Sequence, residues 1–566
     1  MRVQLLTLTC SLAFFLPVYF VKSEQLVRVE TENGLLEGQL LSSSVDFKVA
    51  AFRGVPYAKA PVGELMLKKP EPFPRWTGRK EAKTWPPRCI PSRKVGNVPG
   101  SKSTDSQDCL FLNVFAPQQT SSDGSKSLYP VLVFIHGGAF QMGSTERYGL
   151  RGILERLVPK GVVVVSIQYR VGFWGFFSTG DREVPGNLGL WDQRLALKWI
   201  KTNIERFGGD SSRVTLMGQS AGGVSATALA ISPHSYDLFQ QIIAMSGTIS
   251  ARWAVQTELV LKNSKLLAKI LHCDNNSSIE MLRCIQVTST SQQIKAVDEF
   301  RQLTQAEGPT ALTLPFLPIE DEDFFPEPVT ELIRKAPYKP FISGGLAADG
   351  AYMAAPPTDQ WRSIFDQFDE RFFNSAIDEV ITGDDISSNI TKTMIRYKYL
   401  YKNGKANVAE KAKLFNSYIK FLSDIFIYAP AHFDALSMEV KGQTWLYSFD
   451  HFSPAAFPEE HAFKGAMHAM DVPFIFGETE NQPFRPFEFD QNDLAVAEGV
   501  TTLWTNFVKF GNPTPQPFQD VIWEPFDSKR NNFLSIQPKL KQKKNYYRKS
   551  MHFWNGFLPH ILVQLN

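Results

Sequence analysis

The sequence predicts an α/β fold in which helices cover both faces of a mostly parallel β-sheet. Val131–Ile135 and Val162–Ile167 are continuous apolar runs rich in β-branched residues, the pattern of strands that are buried on both faces. From Leu197 to Phe207, four apolar residues repeat at intervals of three, four and three, as along one stripe of a helix. Strand and helix patterns then alternate along the chain, which favours parallel strand pairing.

The composition is that of an ordinary globular protein. The 566 residues include 60 basic and 57 acidic side chains, a net charge of +3, so the overall charge indicates no nucleic-acid partner. Hydrophobic residues make up 43% and charged residues 21% of the chain, which excludes global disorder. No repeat or clean linker stands out, and we predict one domain over residues 24–566.

The first 23 residues are typical of a secretory signal peptide. Arg2 supplies a positive charge, an apolar run extends from Leu5 to Phe20, and Val21 and Ser23 satisfy the small-residue rule for cleavage. The run has about 16 residues, fewer than the roughly 20 that a membrane-spanning helix needs. We therefore predict a secreted, extracellular protein without an integral membrane span.

Cysteine usage agrees with export. Four cysteines remain after the predicted signal peptide: Cys89, Cys109, Cys273 and Cys284. Four cysteines allow three pairings, and the short closures, 89 with 109 and 273 with 284, are preferred. The absence of a CxxC motif and of histidines at ligand spacing indicates no metal site. Three N-x-S/T sequons are candidate glycosylation sites: Asn275, Asn276 and Asn389.

The remaining elements are predicted from local patterns in chain order. The first two strands flank Asn33-Gly34, a hairpin signal, and a small-residue helix begins at Ala221. Residues from about 255 to 335 are less regular, acidic and proline-rich in part, so we predict an inserted, helical, lid-like segment. The further predicted strands are Val27–Thr31, Leu35–Leu41, Val214–Met217, Ile242–Met245, Phe341–Ile342 and Trp445–Phe449.

Gly218-Gln219-Ser220-Ala221-Gly222 connects a predicted strand to a predicted helix. So sharp a turn needs glycines on both sides of the serine, because side chains there would collide. The turn exposes the serine hydroxyl at the top of the sheet and directs helix N–H groups towards the same place. A GxSxG sequence is common by chance, but this position between strand and helix predicts a serine nucleophile at Ser220.

A serine nucleophile needs donors for the oxyanion that forms during its attack. His136-Gly137-Gly138-Ala139 follows the predicted strand Val131–Ile135, and glycines there let backbone N–H groups approach a substrate. We predict an oxyanion hole formed by the N–H groups of Gly137, Gly138 and Ala221. The alternative interpretation of these glycines is an ordinary tight turn after a strand. The predicted strand-to-helix turn at Ser220, called the elbow below, makes that alternative less favoured.

The serine also needs a base and an acid, in the chain order serine, acid, histidine on this kind of fold. Six of the nine histidines lie late in the chain, and His468, in a glycine-containing loop before an apolar run, is the candidate base. Asp349 follows the predicted strand Phe341–Ile342 in a loop bounded by Gly345 and Gly350, where a carboxylate at the sheet edge is expected.

With these residues the chain resembles the type-B carboxylesterase and cholinesterase family of α/β-hydrolases over nearly all of its predicted mature length. The resemblance implies the α/β-hydrolase fold, hydrolysis of small carboxylic esters without metal or cofactor, and a triad of Ser220, Asp349 and His468. It also implies the two local disulfides and a supporting role for Ser246 beside the triad acid. The segments that carry it are Phe52–Ala58, Asp108–Val114, Gly186–Gln193, Asn203–Asp210 and Gly465–Gly477.

The chain departs from the family pattern in ways that bear on its chemistry. The family usually has Glu immediately before the nucleophile and often before its D-C-L motif, where this chain has Gln219 and Gln107. Neutral amides there reduce the negative charge near a protonated histidine. The triad acid is Asp349 where Glu is commoner. Residues 90–108 contain no aromatic residue, although cholinesterases carry a Trp in this loop for cation–π binding, so choline esters are disfavoured.

Three alternatives stay open. The Gln219 elbow and the loop of His468 are similar to the motif set of insect juvenile hormone esterases, from which Gly223 and Asp349 depart. The family also includes adhesion proteins with a degraded triad, so a binding or scavenger role is the second alternative. Six basic residues lie in the segment Lys539–Lys549. This segment predicts weak contact with an anionic surface, and the simpler interpretation is a solvated face of the protein.

Overall fold

The computed structural model describes residues 25–43, 47–92, 103–118, 127–305, 314–355, 360–401, 411–461, 463–477 and 487–565. The predicted signal peptide, residues 1–23, lies outside them. Among these described residues, no helix is both long and apolar enough to cross a membrane.

A 13-stranded sheet forms the centre of the structure, beside a separate two-stranded one made of β5 and β6. The strands are β1 (Leu26–Thr31), β2 (Gly34–Ser42), β3 (Lys48–Pro56), β4 (Arg79–Glu81), β5 (Arg88–Cys89), β6 (Asp105–Ser106), β7 (Phe111–Pro117), β8 (Tyr129–Ile135), β9 (Val163–Ile167), β10 (Gly209–Gln219), β11 (Gln241–Met245), β12 (Phe341–Leu346), β13 (Thr444–Phe449), β14 (Phe533–Ile536) and β15 (Lys541–Lys543). Strands β9-β8-β10-β11-β12-β13-β14 are neighbours and run parallel, with antiparallel strands at both ends. The predicted mostly parallel sheet is confirmed.

The central strands are buried on both faces. On β8, Val131, Val133 and Ile135 belong to one apolar cluster, whereas Leu132 and Phe134 belong to the other. Successive side chains of a strand point to opposite faces, so both faces of this strand are covered. This double burial explains why the strand is apolar throughout instead of alternating.

Helices and short helical turns pack on the two faces. The α-helices are α1 (Gly172–Phe176), α2 (Leu188–Asn203), α3 (Ala221–Ile231), α4 (Thr257–Ile270), α5 (Ser278–Val287), α6 (Thr290–Gln305), α7 (Val329–Lys335), α8 (Ala351–Ala354), α9 (Gln360–Gln367), α10 (Glu370–Val380), α11 (Ile386–Tyr399), α12 (Lys411–Ser423), α13 (Ala429–Glu439), α14 (Val472–Phe476), α15 (Gln491–Phe510), α16 (Arg548–Met551) and α17 (Leu558–Leu565). The predicted stripe from Leu197 to Phe207 is confirmed as buried, and its last turn is a 3₁₀-helix, Ile204–Phe207.

Two helical series are inserted in the chain between consecutive parallel strands. The first, α4 to α7, lies between β11 and β12 and agrees with the helical insertion predicted for residues 255–335. The second, α8 to α13, lies between β12 and β13 and was not predicted. It has an aromatic core in which Phe368, Phe373 and Phe415 surround Tyr418. Both series leave the sheet at the carboxyl ends of strands β11 and β12.

Two disulfides join the short cysteine pairs. Cys89 pairs with Cys109 and Cys273 with Cys284, with Cα–Cα distances of 5.0 and 5.5 Å. The asparagines of the three sequons are exposed, as glycan attachment requires: Asn275, Asn276 and Asn389.

The basic segment Lys539–Lys549 includes the last strand of the sheet. Lys541 and Lys543 are exposed on β15, which among the described strands pairs only with β14. Lys543 forms an ion pair of 3.1 Å with Asp450. Lysines on an edge strand discourage pairing with further strands. This gives a physical reason for the interpretation of the segment as a solvated face.

Candidate active site

Ser220 occupies the turn between β10 and α3. Its φ and ψ angles are 59° and −126°, a strained conformation that residues other than glycine rarely adopt. The turn is held by a hydrogen bond of 2.7 Å from the Ser220 N–H group to the carbonyl oxygen of Met245 on β11. The elbow geometry expected of the GxSxG sequence is therefore present.

Close backbone contacts explain the glycines on either side of Ser220. A Cβ atom on Gly218 would lie 2.0 Å from the carbonyl oxygen of Gly222. A Cβ atom on Gly222 would lie 2.0 Å from the carbonyl oxygen of Ile135 at the end of β8. Strand, turn and helix are thus packed more tightly than any side chain permits.

We expect Gly222→Ala to lower the free energy of unfolding by more than about 3 kcal/mol, because the backbone of β8 cannot move away from the new methyl group. The matched control is Gly499→Ala in α15, where the nearest atom to a Cβ would be Leu540 Cδ2 at 4.0 Å. Alanine in that helix is expected to keep stability or raise it by up to about 1 kcal/mol. Thermal unfolding of both variants checks this, and equal midpoints would contradict it.

Asp349 and His468 lie side by side although 119 residues separate them. Nδ1 of His468 is 2.5 Å from Oδ1 of Asp349. The other carboxyl oxygen of Asp349 accepts hydrogen bonds from the Ser246 hydroxyl at 2.7 Å and the Leu346 N–H group at 2.8 Å. Since Asp349 is fully buried, these contacts hold its carboxylate in one orientation towards the imidazole.

The strand before Asp349 is longer than predicted. β12 extends to Leu346, four residues beyond the predicted end, so Gly345 lies inside the strand and does not bound the loop. A Cβ atom on Gly345 would lie 2.7 Å from Oδ2 of Asp349. Glycine at this position therefore leaves room for the carboxyl group.

Opposing effects act on the protonation of His468. Burial lowers its pKa, but the charge and hydrogen bond of Asp349, with a further contribution from the charge of Asp471, raise the pKa above its ordinary value. The neighbouring carboxylate thus stabilises the imidazolium form, which suits a residue that takes up a proton and returns it.

The hydrogen-bond partner of His468 Nε2 is the side chain of Gln219. The two nitrogen atoms are 3.2 Å apart, and in the described part of the chain no hydrogen bond joins Ser220 Oγ to His468. The other substituted amide, Gln107, instead donates to Oε1 of Gln293 at 2.8 Å. The expectation that both amides lie at the site is therefore corrected, because only Gln219 contacts the histidine.

The glycine loop after β8 lies against the elbow. A Cβ atom on Gly137 would lie 2.6 Å from the carbonyl oxygen of Gln219 and 3.1 Å from Cβ of Ser220. The Gly137 N–H group donates to the Tyr148 hydroxyl at 3.2 Å, so it is not available to an oxyanion. The prediction for Gly137 is thus corrected, although its contact with the elbow is real.

Within the loop, Gly138 stays a candidate donor as predicted, and Ala139 takes the place of Gly137. Gly138 and Ala139 have φ angles of 123° and 57°, and within the described residues their N–H groups have no acceptor. Ala221 is the first residue of α3, where a helix N–H group has no partner inside the helix. The candidate oxyanion donors are therefore Gly138, Ala139 and Ala221.

A second buried carboxyl group, not among the predicted site residues, lies near His468. Asp471 is 1% exposed, and neither of its carboxyl oxygens has a hydrogen-bond partner within the described ranges. Burial and the negative charge of Asp349 raise the pKa of Asp471 to about 7, against the opposing effect of His468. Its sequence context carries no signal of this, because long-range packing decides its burial.

Replacing Asp471 by asparagine is expected to change how stability depends on pH. Its pKa is raised from an ordinary value of 3.8 in the unfolded chain to about 7 in the fold, so its contribution to stability is complete below pH 3.8 and is lost as pH rises through 7. Asparagine does not titrate, so the apparent Tm of Asp471→Asn, relative to wild type, should increase from pH 5 to pH 8. Thermal scans at one fixed rate measure this, and a pH-independent difference would contradict it.

Known proteins with similar sequences point to one family. The model of the carboxylesterase family matches residues 25–554. The chain is 32% identical over 522 residues to Esterase cest-33 of Caenorhabditis elegans, covering 90% of each chain. It is 30% identical over 579 residues to the bile salt-activated lipase of Rattus norvegicus, covering 98% of this chain and 88% of that protein. Neuroligin-2 of Mus musculus is 28% identical over 587 residues, covering 94% of this chain and 68% of that protein.

Proposed function

The chain belongs to the carboxylesterase family and is a carboxylic ester hydrolase, and on this premise we propose that it is a secreted serine esterase that works through an acyl-enzyme. The observation that carries the proposal is the meeting of three chain segments at one edge of the sheet. Ser220 follows β10, Asp349 follows β12, and His468 lies beyond β13 with Nδ1 at 2.5 Å from Asp349.

In the proposed reaction, Ser220 Oγ attacks the carbonyl carbon of the ester and gives its proton to Nε2 of His468. The negative charge that forms on the carbonyl oxygen is stabilised by the N–H groups of Gly138, Ala139 and Ala221. His468 then protonates the leaving alcohol as the ester C–O bond breaks, and the acyl group stays on Ser220. Water attacks this acyl group through the same steps and releases the carboxylic acid.

Asp349 has a supporting role in this mechanism. Its carboxylate accepts the Nδ1–H proton of His468, so the neutral ring keeps its free electron pair on Nε2, the side that serves the serine. Ser246 and the Leu346 N–H group restrict the rotation of the carboxylate by binding its other oxygen. We therefore assign Ser246 a positioning role.

The test is turnover of p-nitrophenyl esters from acetate to decanoate by the purified mature protein, together with labelling by a fluorophosphonate. We expect hydrolysis, one label per chain, and the label on the peptide that contains Ser220. The acyl length with the highest kcat/KM then gives the size of the acyl pocket. Folded protein that neither hydrolyses any ester nor takes up the label would support the alternative of a binding role.

We also propose that the protein is exported as a single domain of residues 24–566. Disulfides persist in oxidising compartments, and two of them are formed here, in support of the signal sequence. When the full chain is expressed in secretory cells, we expect the protein in the culture medium, with Glu24 as its first residue. Treatment with an N-glycosidase should lower its mass. Retention of the whole chain inside the cells would contradict export.

A further inference from the structure

The proposed mechanism requires Nε2 of His468 to face Ser220, but in the structure it faces an amide. Because Nδ1 donates to Asp349, the neutral ring has its free electron pair on Nε2. The side-chain NH₂ group of Gln219, 3.2 Å away, is then the donor, and the ring nitrogen is the acceptor. The atom that has to accept the serine proton is thus already hydrogen-bonded.

The position of this amide is set by the residues around it. Gln219 is 4% exposed, so water has little access to compete for its hydrogen bonds. Its Oε1 atom would lie 2.8 Å from a Cβ atom on Gly137, so the end of the side chain packs closely against the glycine loop. The amide is held between the glycine loop and the imidazole.

We infer that Gln219 is a positioning residue that holds His468 in the resting enzyme and releases its Nε2 atom to Ser220 when substrate enters. The inference rests on the proposed function and adds a step between substrate binding and chemistry. A neutral donor at Nε2 stabilises the unprotonated, basic form of the ring. A carboxylate at the same position would stabilise the protonated form, which cannot act as a base.

Other groups around His468 act from other sides. Asp349 binds Nδ1, the ring of Tyr352 lies with its centroid 5.9 Å from the imidazole, and the buried carboxyl group of Asp471 acts through its charge. Tyr148 and Tyr447 interact electrostatically with Asp471. Within the described residues, Gln219 alone is hydrogen-bonded to Nε2, so its replacement tests that contact separately from the triad acid.

The experiment compares wild type with Gln219→Met, which removes the donor, and Gln219→Glu, which replaces it with a carboxylate. The control is Gln107→Glu, the same chemical change at an amide that bonds Gln293. We measure kcat/KM for p-nitrophenyl butyrate against pH. The midpoint of the acidic limb should rise in Gln219→Met and rise further, by about one pH unit or more, in Gln219→Glu, and stay unchanged in the control.

A second measurement serves variants that turn over slowly. Inactivation by a fluorophosphonate needs the serine and its base but no turnover, so its rate against pH reports the same ionisation. On the plateau above the acidic limb, Gln219→Met should react roughly two- to tenfold faster than wild type, because no hydrogen bond has to be broken first. If Gln219→Glu does not fold, the comparison of Gln219→Met with wild type is sufficient to test the inference.

An unmoved acidic limb in the Gln219 variants, an equal shift in Gln107→Glu, or a slower plateau rate in Gln219→Met would each overturn the inference. These outcomes differ from failure of the proposed function. A wild-type protein without turnover and without labelling removes the serine mechanism itself. If the wild-type enzyme is active but substitution of Gln219 does not move the acidic limb of its pH profile, only the positioning role of Gln219 is refuted.

Discussion

Ser220→Ala is expected to lower kcat for ester hydrolysis by at least about 10⁴-fold. The variant keeps the oxyanion donors and His468, but no atom remains to form the acyl-enzyme. Residual activity then comes from water attacking an ester held by the oxyanion donors. Fluorophosphonate labelling should be lost completely, since it depends on the same oxygen atom.

The matched control is Ser225→Ala on the same helix. Ser225 is also buried, and its hydroxyl accepts a hydrogen bond of 3.0 Å from Gln193, away from His468. Its activity should stay within about threefold of wild type, since it loses only one neutral hydrogen bond. Steady-state hydrolysis of p-nitrophenyl butyrate by both variants decides the matter. A Ser220→Ala protein with a tenth or more of wild-type activity would refute Ser220 as the nucleophile.

Asp349→Asn should have the second-largest effect, a loss of about 10³- to 10⁴-fold in kcat. The Oδ1 atom of Asp349 now accepts from Nδ1 of His468, whereas an amide NH₂ group there would donate and favour the wrong tautomer of the ring. The proton would then sit on Nε2, where the electron pair is needed. Steady-state kinetics at saturating substrate measures the loss.

Ser246→Ala gives the graded comparison for this prediction. It removes one of the two hydrogen bonds to Oδ2 of Asp349 and leaves the one from the Leu346 N–H group. We expect a loss of about tenfold, the value of one charge-assisted hydrogen bond. A loss as large as that of Asp349→Asn would mean that Ser246 does more than orient the carboxylate.

The pH dependence of the residual activity has a defined sign. The charge of Asp349 raises the pKa of His468, so its neutralisation in Asp349→Asn should move the acidic limb of kcat/KM to lower pH. In Gln219→Glu the same limb should move to higher pH. Opposite shifts from two substitutions on two sides of one ring would identify His468 as the titrating base.

Local sequence patterns were sufficient for the central fold. Val131–Ile135 is apolar at every position because helices cover both faces of that strand, and this burial is readable without knowing the partners. The elbow is readable too, because the GxSxG sequence stands between a strand pattern and a helix pattern, although only the contact of Gly218 with Gly222 is local and Gly222 itself packs against Ile135 of β8. Element ends were less accurate. β10 runs from Gly209 to Gln219, beyond the predicted Val214–Met217, since backbone pairing extends into polar residues.

Their positions in loops after predicted strands made Asp349 and His468 candidates for the acid and the base, and the resemblance to a family implied that both belong to the triad. The second helical series, α8 to α13, was not predicted, although α10, α11 and α12 have 11, 14 and 13 residues and the side chains of Asp369 and Asp385 cap the first two of them.

The sequence by itself determined the parallel sheet, the serine at its strand-to-helix turn and the family, because these depend on patterns within a few neighbouring residues. Tertiary structure alone decided which hydrogen-bond partners the site residues have. The amide of Gln219 contacts a histidine 249 residues away, and the Gly137 N–H group is bound by Tyr148. Asp471 is buried without a partner in the described chain. Hydrogen-bond partners and burial depend on packing between distant segments, which no local pattern encodes.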